Sequence, residues 1–456
     1  MTTLREKIAD RSAHIAVIGL GYVGLPLAMA FAEAGFRTTG VDVALYKIES
    51  TTAGRSYIPD VPSEDVARHV ESGRFTSTTS YDGLHEMDAI FICVPTPYDA
   101  QRAPDLSFIR AASQGIRPRM RPGQLVILQS TTYPGTTEEV VLPVLKQSGL
   151  KVGRDFYLAF SPERIDPGNK QWTAYTLPKV VGGITDECTE LAAELLRQMG
   201  APVHVVSSAR AAELSKLLEN TFRAVNIALV NELALLTERM GIDIWEVIEA
   251  AKTKPFGFMP FTPGPGVGGH CIPVDPYYLS WKAREYDYYA EFIELAGEVN
   301  QAMTHHVVNL VAQALSLHGK PVRGARVLVL GVAFKPDIDD ARNSPAERIV
   351  ELLMDGGAVV RYHDPYIARF RVGGNVFYHD PVVLESARLT EQEIAAADCV
   401  VVVTNHRCLD YERVVQNANL VVDTRNVTSG VSDPVLREKI VRLGAPLPYS
   451  TLAVEK

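Results

Sequence analysis

An α/β fold, with two parallel-sheet domains joined by a long central helix and a helical middle domain, is predicted by three features of this 456-residue chain. Apolar runs of four to eight residues alternate with helical stretches near both ends, the pattern of parallel strands joined by crossover helices. Between them, Arg210 to Met240 contains no Gly or Pro and reads as one helix. A chain of this length exceeds one ordinary core, so two or three domains are expected. The predicted boundaries are 1–208, 209–318 and 319–456.

The first block opens with AHIAVIGL, Ala13 to Leu20, a short buried strand. It runs into Gly19-Leu20-Gly21-Tyr22-Val23-Gly24 and a helical stretch that stops at Gly35; a second strand, TTGVDV, ends near Asp42. An acid about 20 residues past the first glycine is the spacing of a dinucleotide-binding βαβ unit. Glycines there permit a tight turn and bring pyrophosphate to the helix N-terminus, where N–H groups and the helix dipole favour anions. A carboxylate at Asp42 would take ribose hydroxyls and repel a 2′-phosphate, so NAD is expected as cofactor rather than NADP. Further strands are expected at Ala89 to Val94, Gln124 to Ser130, Tyr157 to Phe160, Lys179 to Gly182 and Val203 to Val206, with helices between them. Open α/β sheets bind ligands at the carboxyl ends of their strands. Pro95 and Thr96, then Ser130 and Thr131, occupy such ends and join Gly19, Gly21, Tyr22, Val23 and Gly24 as candidate cofactor contacts. SPER, Ser161 to Arg164, is a third such turn. The structural alternative for each is a capped turn.

In the middle block the segment Arg210 to Met240 would be over 40 Å long at about 1.5 Å per residue, enough to bridge domains and meet a second subunit through an apolar face. A homodimer or higher assembly is expected. More helix is predicted at Asp243 to Lys252 and Tyr289 to Leu317. Between these lies TKPFGFMPFTPGPGVGGHCIPVDPYY, Thr253 to Tyr278. So much Gly and Pro fixes a backbone in shape and lets it lie close to a ligand. Cys271 therefore reads as a displayed thiol and candidate nucleophile, against the usual fate of a free cysteine as a small buried hydrophobe. The third block repeats the βαβ order from ARVLVLGVAF onward, but its first turn has only Gly331 and then a polar loop, Lys335 to Pro345. A Rossmann-like sheet without the dinucleotide fingerprint suits a different phosphorylated ligand.

Composition narrows the function class. A chain 22% charged and 46% hydrophobic is that of a soluble globular protein. A net charge of −9 gives no electrostatic reason to expect nucleic acid or an anionic membrane as partner. Five cysteines, Cys93, Cys188, Cys271, Cys399 and Cys408, lack metal spacing or even pairing; they suit a reducing compartment, and no metal is expected. With no apolar window of membrane-spanning length and no basic leader, the cytoplasm is the expected location.

Together the motifs GLGYVGLPLA, STTYPGTT, SPER, ELSKLLENTFRAVNIALVNE, GPGVGGHCIPVDP and FKPDIDDARNSP resemble the UDP-glucose/GDP-mannose dehydrogenase family of nucleotide-sugar 6-dehydrogenases over nearly the whole chain. The resemblance implies oxidation of the C6 alcohol of a nucleotide-linked hexose to a carboxylate in two steps, with two NAD consumed. The second oxidation needs a tetrahedral adduct from which hydride can leave, and a thiolate supplies it. Cys271 would form a thiohemiacetal, then a thioester that water releases. By the same resemblance Lys216 and Asn220, one helical turn apart, face the reacting carbon and stabilise alkoxide and tetrahedral oxyanions. Glu163 and Asp275 are both candidates for orienting water or relaying a proton. Some relatives carry a second acid four residues after the SPE glutamate, where this chain has Pro167.

For the substrate the resemblance implies Glu163, Arg164, Lys216, Asn220, Phe261, Gly264, Gly268, His270 and Lys335. Lys335 and Arg342 suit a nucleotide diphosphate; Arg342 has the cofactor as its other expected partner. His270 is expected to be a loop or substrate contact and not a dyad with Cys271, since adjacent loop residues normally point apart. The cysteine loop is most similar to the branch that oxidises UDP-N-acetylglucosamine. Thr262 and Glu291 depart from that branch's usual aromatic and basic residues, which keeps UDP-glucose and dTDP-glucose as alternatives. Two other classes share the scaffold. A simple two-electron alcohol or hydroxy-acid dehydrogenase would form one NADH per substrate, and a binding protein none.

Overall fold

The structure, a computed structural model, describes residues 3–99, 103–165, 172–173, 175–374 and 380–447. Pro167 lies outside the described residues. The chain forms two compact units, Met1–Glu219 with Tyr277–Tyr288, and Asn220–Pro276 with Tyr289–Lys456.

Unit one is built on an eight-stranded sheet of β1 (His14–Ile18), β2 (Arg37–Val41), β3 (Phe75–Thr78), β4 (Ala89–Ile92), β5 (Gln124–Leu128), β6 (Phe156–Phe160), β7 (Lys179–Gly183) and β8 (Val203–Val205), in the order β3-β2-β1-β4-β5-β6-β7-β8. Every strand expected from the apolar runs is present. β4 and β5 are buried at all positions because helices cover both faces, which is why they read as unbroken apolar runs. Helix Gly24–Glu33 covers β1, β2 and β3, and its Phe31 ring packs 5.0 Å from that of Phe91 on β4. Gly35, at φ +100°, ends the run after the helix, a conformation other residues resist. One connection departs from expectation. No helix separates β6 from β7 among the described residues, and β7 returns antiparallel to β6, pairing Ala159 with Gly183 and Phe160 with Gly182.

In unit two a five-stranded parallel sheet has the order β10-β9-β13-β14-β15, from β9 (Arg326–Leu330), β10 (Val359–His363), β13 (Cys399–Val402), β14 (Val421–Asp423) and β15 (Ile440–Arg442). A separate antiparallel pair, β11 (Arg369–Val372) and β12 (Val382–Glu385), was not anticipated. Exposed and buried residues alternate along β11, as one-sided burial requires, so the run carries no continuous apolar signal.

The long helix spans Ala209–Met240, 32 residues and so about 48 Å, with its residues to Glu219 in unit one and those from Asn220 in unit two. Helices Ile244–Lys252 and Glu291–Leu317 follow as expected, the first capped by the Asp243 side chain, which accepts the Trp245 N–H. Residues 442–444 are tied to this helical part within unit two. Trp245 Nε1 donates to the Leu443 carbonyl at 2.8 Å, the Gly444 N–H donates to Glu238 at 2.7 Å, and Arg442 pairs with Asp243. Among the described residues no helix is long and apolar enough to cross a membrane, and no group of three or more His, Cys, Asp or Glu is placed to hold a metal ion.

Candidate functional site

The glycine turn after β1 has three glycines for two reasons. Gly19 adopts φ +93°, and a Cβ there would sit 2.5 Å from the Cys93 carbonyl oxygen; one on Gly24 would sit 1.8 Å from the Gly19 oxygen. Those two are required by the protein's own packing. At Gly21 a Cβ would meet nothing within 4 Å, so this glycine opens on space. The helix that begins at Gly24 has neither a side-chain cap nor an acid in its first turn, which leaves N–H groups for an anionic ligand. Tyr22 and Val23 pack their partly buried side chains on the unit-one core. Asp42, buried at the end of β2, accepts the Leu20 N–H at 2.7 Å, the Ala44 N–H at 2.9 Å and the Lys47 ammonium at 2.8 Å. It thus ties the glycine turn to β2; Lys47 was not foreseen.

The turns after β4 and β5 are zipped together. Thr96 Oγ1 donates to the Thr131 carbonyl and Ser130 Oγ to the Val94 carbonyl, both at 2.8 Å, on either side of Pro95; the Tyr278 hydroxyl donates to the Thr96 carbonyl. In the same turn Gln129 Oε1 and Thr132 Oγ1 are buried without a hydrogen-bond partner among the described residues. Buried orphans of this kind are rare and point to a ligand or water. An open cradle at Gly21, uncapped N–H groups, a carboxylate on the next strand and orphaned polar atoms at the neighbouring strand ends fit a dinucleotide.

Glu163 accepts the backbone N–H groups of Arg164 and Ile165 on Oε1, at 2.7 and 2.9 Å, and the Gln129 amide on Oε2 at 2.9 Å. Lys179, which the sequence did not single out, adds an ammonium 3.1 Å from Oε2. Burial pushes this carboxyl up, but Lys179 and the backbone donors outweigh it and hold Glu163 below the usual glutamate range. Arg164 pairs with Glu219 at 2.7 Å and donates to the Pro178 carbonyl. Lys216 lies on the buried side of the long helix at 8% exposure, with no hydrogen bond or ion pair among the described residues, while Leu218 points outward at 64%. With no anion of the protein paired to it among the described residues, its ammonium is open to a ligand's negative charge.

Unit two brings three of the predicted residues together. Cys271 is half-buried and in no disulfide, and its carbonyl accepts the N–H groups of Val274 at 3.0 Å and Asp275 at 2.8 Å, so it begins the turn into helix Asp275–Ala283. The Asp275 carboxylate accepts the Asn220 amide at 2.5 Å, both side chains being buried. The glycine loop before the cysteine is clasped by its own unit. Gly264 donates to Asn231 Oδ1 at 3.0 Å, and Asn231 in turn bonds Asn300 at 2.9 Å. A Cβ on Gly268 would lie 2.8 Å from Phe334 Cβ, so close packing explains that glycine. Gly269 donates to the Arg342 carbonyl and accepts from the Asn343 amide, both at 3.1 Å. The His270 ring meets Phe334 edge-on, with Nδ1 3.8 Å from Asp340; Asp340 is held below the usual range by the Arg342 guanidinium despite its burial. Phe261 stands edge-on to Phe222, 5.9 Å between ring centres, and Lys335 is half-buried in the loop after β9.

Arg425 was missed. A Cβ on Gly264 would fall 2.6 Å from its Nη1, which makes that glycine a vacancy for the guanidinium. Its Nε donates to the Val403 carbonyl at 2.8 Å, no carboxylate pairs with it among the described residues, and burial pushes it down to about 10 against the opposing charge of Asp423. The signal was available: an arginine in DTRN, at the carboxyl end of an apolar strand of an α/β sheet.

Three family profiles cover most of the chain. They are the NAD binding domain of the UDP-glucose/GDP-mannose dehydrogenase family at residues 13–200, its central domain at 210–302 and its UDP binding domain at 328–430. A UDP-N-acetyl-D-glucosamine 6-dehydrogenase of Pseudomonas aeruginosa is 41% identical over 78% of this chain and 84% of its own. An NDP-N-acetyl-D-galactosaminuronic acid dehydrogenase of Ralstonia nicotianae is 35% identical over 91% and 96%. The solved structure of a UDP-D-ManNAc dehydrogenase from Pyrococcus horikoshii superposes with a TM-score of 0.84 at 32% identity, over 95% of this chain and all of that one. The protein belongs to the UDP-glucose/GDP-mannose dehydrogenase family and is an NAD-dependent nucleotide-sugar 6-dehydrogenase.

Proposed function

We propose that this enzyme oxidises the C6 hydroxymethyl of UDP-N-acetylglucosamine to the uronic acid through a covalent adduct on Cys271. The observation that carries the reading is the grouping of a half-buried thiol at the start of the turn into Asp275 with an Asn220 amide held by that same residue. NAD, when bound, accepts hydride twice. Around it the chain's residues have separate tasks. Asp275 occupies one amide hydrogen of Asn220, which fixes the amide plane and leaves the other for an oxyanion. The Lys216 ammonium offers a compact charge for the same purpose. Cys271 Sγ adds to the C6 aldehyde to give a thiohemiacetal; loss of hydride leaves a thioester; water cleaves it to the carboxylate and returns the thiol. Each sugar thus consumes one water and reduces two NAD. Lys335, Arg342 and Arg425 are the cations for the diphosphate.

An N-acetyl group at carbon two is favoured because the Pseudomonas relative is named for UDP-N-acetylglucosamine and the Ralstonia and Pyrococcus relatives for other N-acetylated sugars. The exposed apolar row Leu214, Leu218, Phe222, Leu229, Leu233, Leu236 and Met240 on the long helix supports a homodimer. Purified protein given NAD and a panel of UDP-N-acetylhexosamines, UDP-glucose and dTDP-glucose tests the whole reading. Two NADH per sugar are expected, fastest with UDP-N-acetylglucosamine; one NADH and an aldehyde product would reduce it to a two-electron dehydrogenase. Cys271→Ala should bind NAD and sugar yet form no uronic acid. Light scattering should give at least twice the monomer mass.

A further inference from the structure

The unexpected reversal of β7 has a consequence at Glu163. Its antiparallel register pairs Ala159 with Gly183 and Phe160 with Gly182, and the same count carried three residues further puts Glu163 opposite Lys179. Ser161 Oγ donating to the Val180 carbonyl at 2.8 Å shows the two segments still in contact along that line. A parallel β7, as the alternation of strands and helices predicts, would have placed Lys179 at the far edge of the sheet. Lys179 is 1% exposed, and its ammonium approaches both oxygens of Glu163, at 3.3 and 3.1 Å. Among the described residues it has no other carboxylate partner. A lysine is seldom buried so fully unless paired, and a carboxylate withdrawn from water needs the same compensation.

We propose that Lys179 is a positioning residue for the oxidation, delivered by the reversed strand to fix the charge and direction of Glu163 for the step that consumes water. The inference rests on taking Glu163, one of the two carboxylates that the family resemblance puts forward for orienting water, as the one that serves in thioester hydrolysis. Both oxygens of Glu163 already accept from Lys179, and from Gln129 or the backbone besides. Taking up a proton would therefore cost one of those bonds. Glu163 orients water as a fixed anion; of the water's two protons, one returns to Cys271 Sγ as the thiol is regenerated and the other leaves to solvent as the carboxylate forms.

The test is the pH dependence of uronic acid formation by the full-length enzyme with saturating NAD and sugar. In Lys179→Met and Lys179→Gln an acid limb should appear, with an apparent pKa about two units above any in the parent, because an unpaired buried carboxyl protonates readily. kcat should fall more than KM changes, and Lys179→Arg should restore the parent profile. A parent-like profile in both neutral variants, or a loss uniform across pH that arginine does not rescue, overturns the proposal. Should the neutral variants fail to fold, Glu163→Gln with Lys179→Met removes both charges; it should fold and match Glu163→Gln alone, and a slower double variant is equally fatal. Glu163→Gln separates the layers: full acid production by that variant removes the role of Glu163 itself. A defective Glu163→Gln beside a parent-like Lys179→Met sinks only the positioning role.

Discussion

Two carboxylates hold the same topological place in two sheets and have opposite fates. Asp42 follows β2, which pairs with β1, and Asp364 follows β10, which pairs with β9; from the first turn of its sheet Asp42 accepts one N–H, that of Leu20, and Asp364 two, those of Val332 and Ala333. Asp42 has two backbone donors and a lysine. Asp364 has the N–H groups of Val332, Ala333, Tyr366 and Ile367, plus His406 Nε2 at 3.0 Å. His406 Nδ1 accepts the Asp337 N–H, so the hydrogen-bond network assigns the ring proton to Nε2. The turns differ in step. Gly19 and Gly331 are both forced by a carbonyl from the strand end alongside, Cys93 and Thr404 respectively, but only the first turn adds the open Gly21 and an uncapped helix. A helix after the second turn starts at Pro345, with Ser344 as its cap. In the second turn the carboxylate is saturated and the helix is capped, so neither Asp364 nor that helix N-terminus is left for a ligand; in the first turn both are short of partners.

The largest effect that would break this contrast belongs to Asp364. Asp364→Ala strands four backbone N–H groups and a buried imidazole, at an expected cost of about 3–5 kcal/mol in urea unfolding, with NAD affinity unchanged in whatever folds. Asp42→Ala should do the reverse. NAD binding should weaken by about tenfold, with discrimination against NADP relaxed, while stability falls by about 1–2 kcal/mol. Titration of both cofactors against each variant decides it, and an Asp42→Ala protein that binds NAD as tightly as the parent would dissolve the distinction.

That distinction was partly legible in the residues. Spacing alone exposed the glycine turn, Asp42 and the shared face of Lys216 and Asn220, because all three depend on local periodicity. Arg425 and Lys179 were not exposed, since each acquires meaning from a partner distant in sequence, Gly264 for the arginine and Glu163 for the lysine. Strand direction was the deeper omission: an apolar run such as Lys179–Gly183 reads alike whether parallel or antiparallel. The glycines of the cysteine loop, expected from the sequence to let a ligand approach, are explained at Gly264 and Gly268 by packing against Arg425 and Phe334.

A third buried carboxylate sharpens the comparison with the smallest expected effect. Glu213, on the long helix, accepts the Gly135 N–H at 2.5 Å and both the N–H and hydroxyl of Thr137, at 2.9 and 2.7 Å, so it holds the STTYPGTT turn without any cation. Burial therefore prevails and its carboxyl is raised to about 7, whereas the imidazole and backbone donors outweigh burial at Asp364 and hold it below its usual range. The sign follows from linkage. With a folded value above the ordinary 4.5, Glu213 keeps a proton in the folded state that the unfolded chain has lost, so its contribution is full below about pH 4.5 and disappears as pH rises through about 7. Its share of the slope is at most about 1.4 kcal/mol per pH unit across that window. Asp364 runs the other way, losing its contribution only as the solution becomes acidic. Glu213→Gln should flatten the fall in unfolding free energy between pH 5 and about 7 without altering the acid limb, and an unchanged slope in that variant would mean the three donors, not burial, set the charge of Glu213.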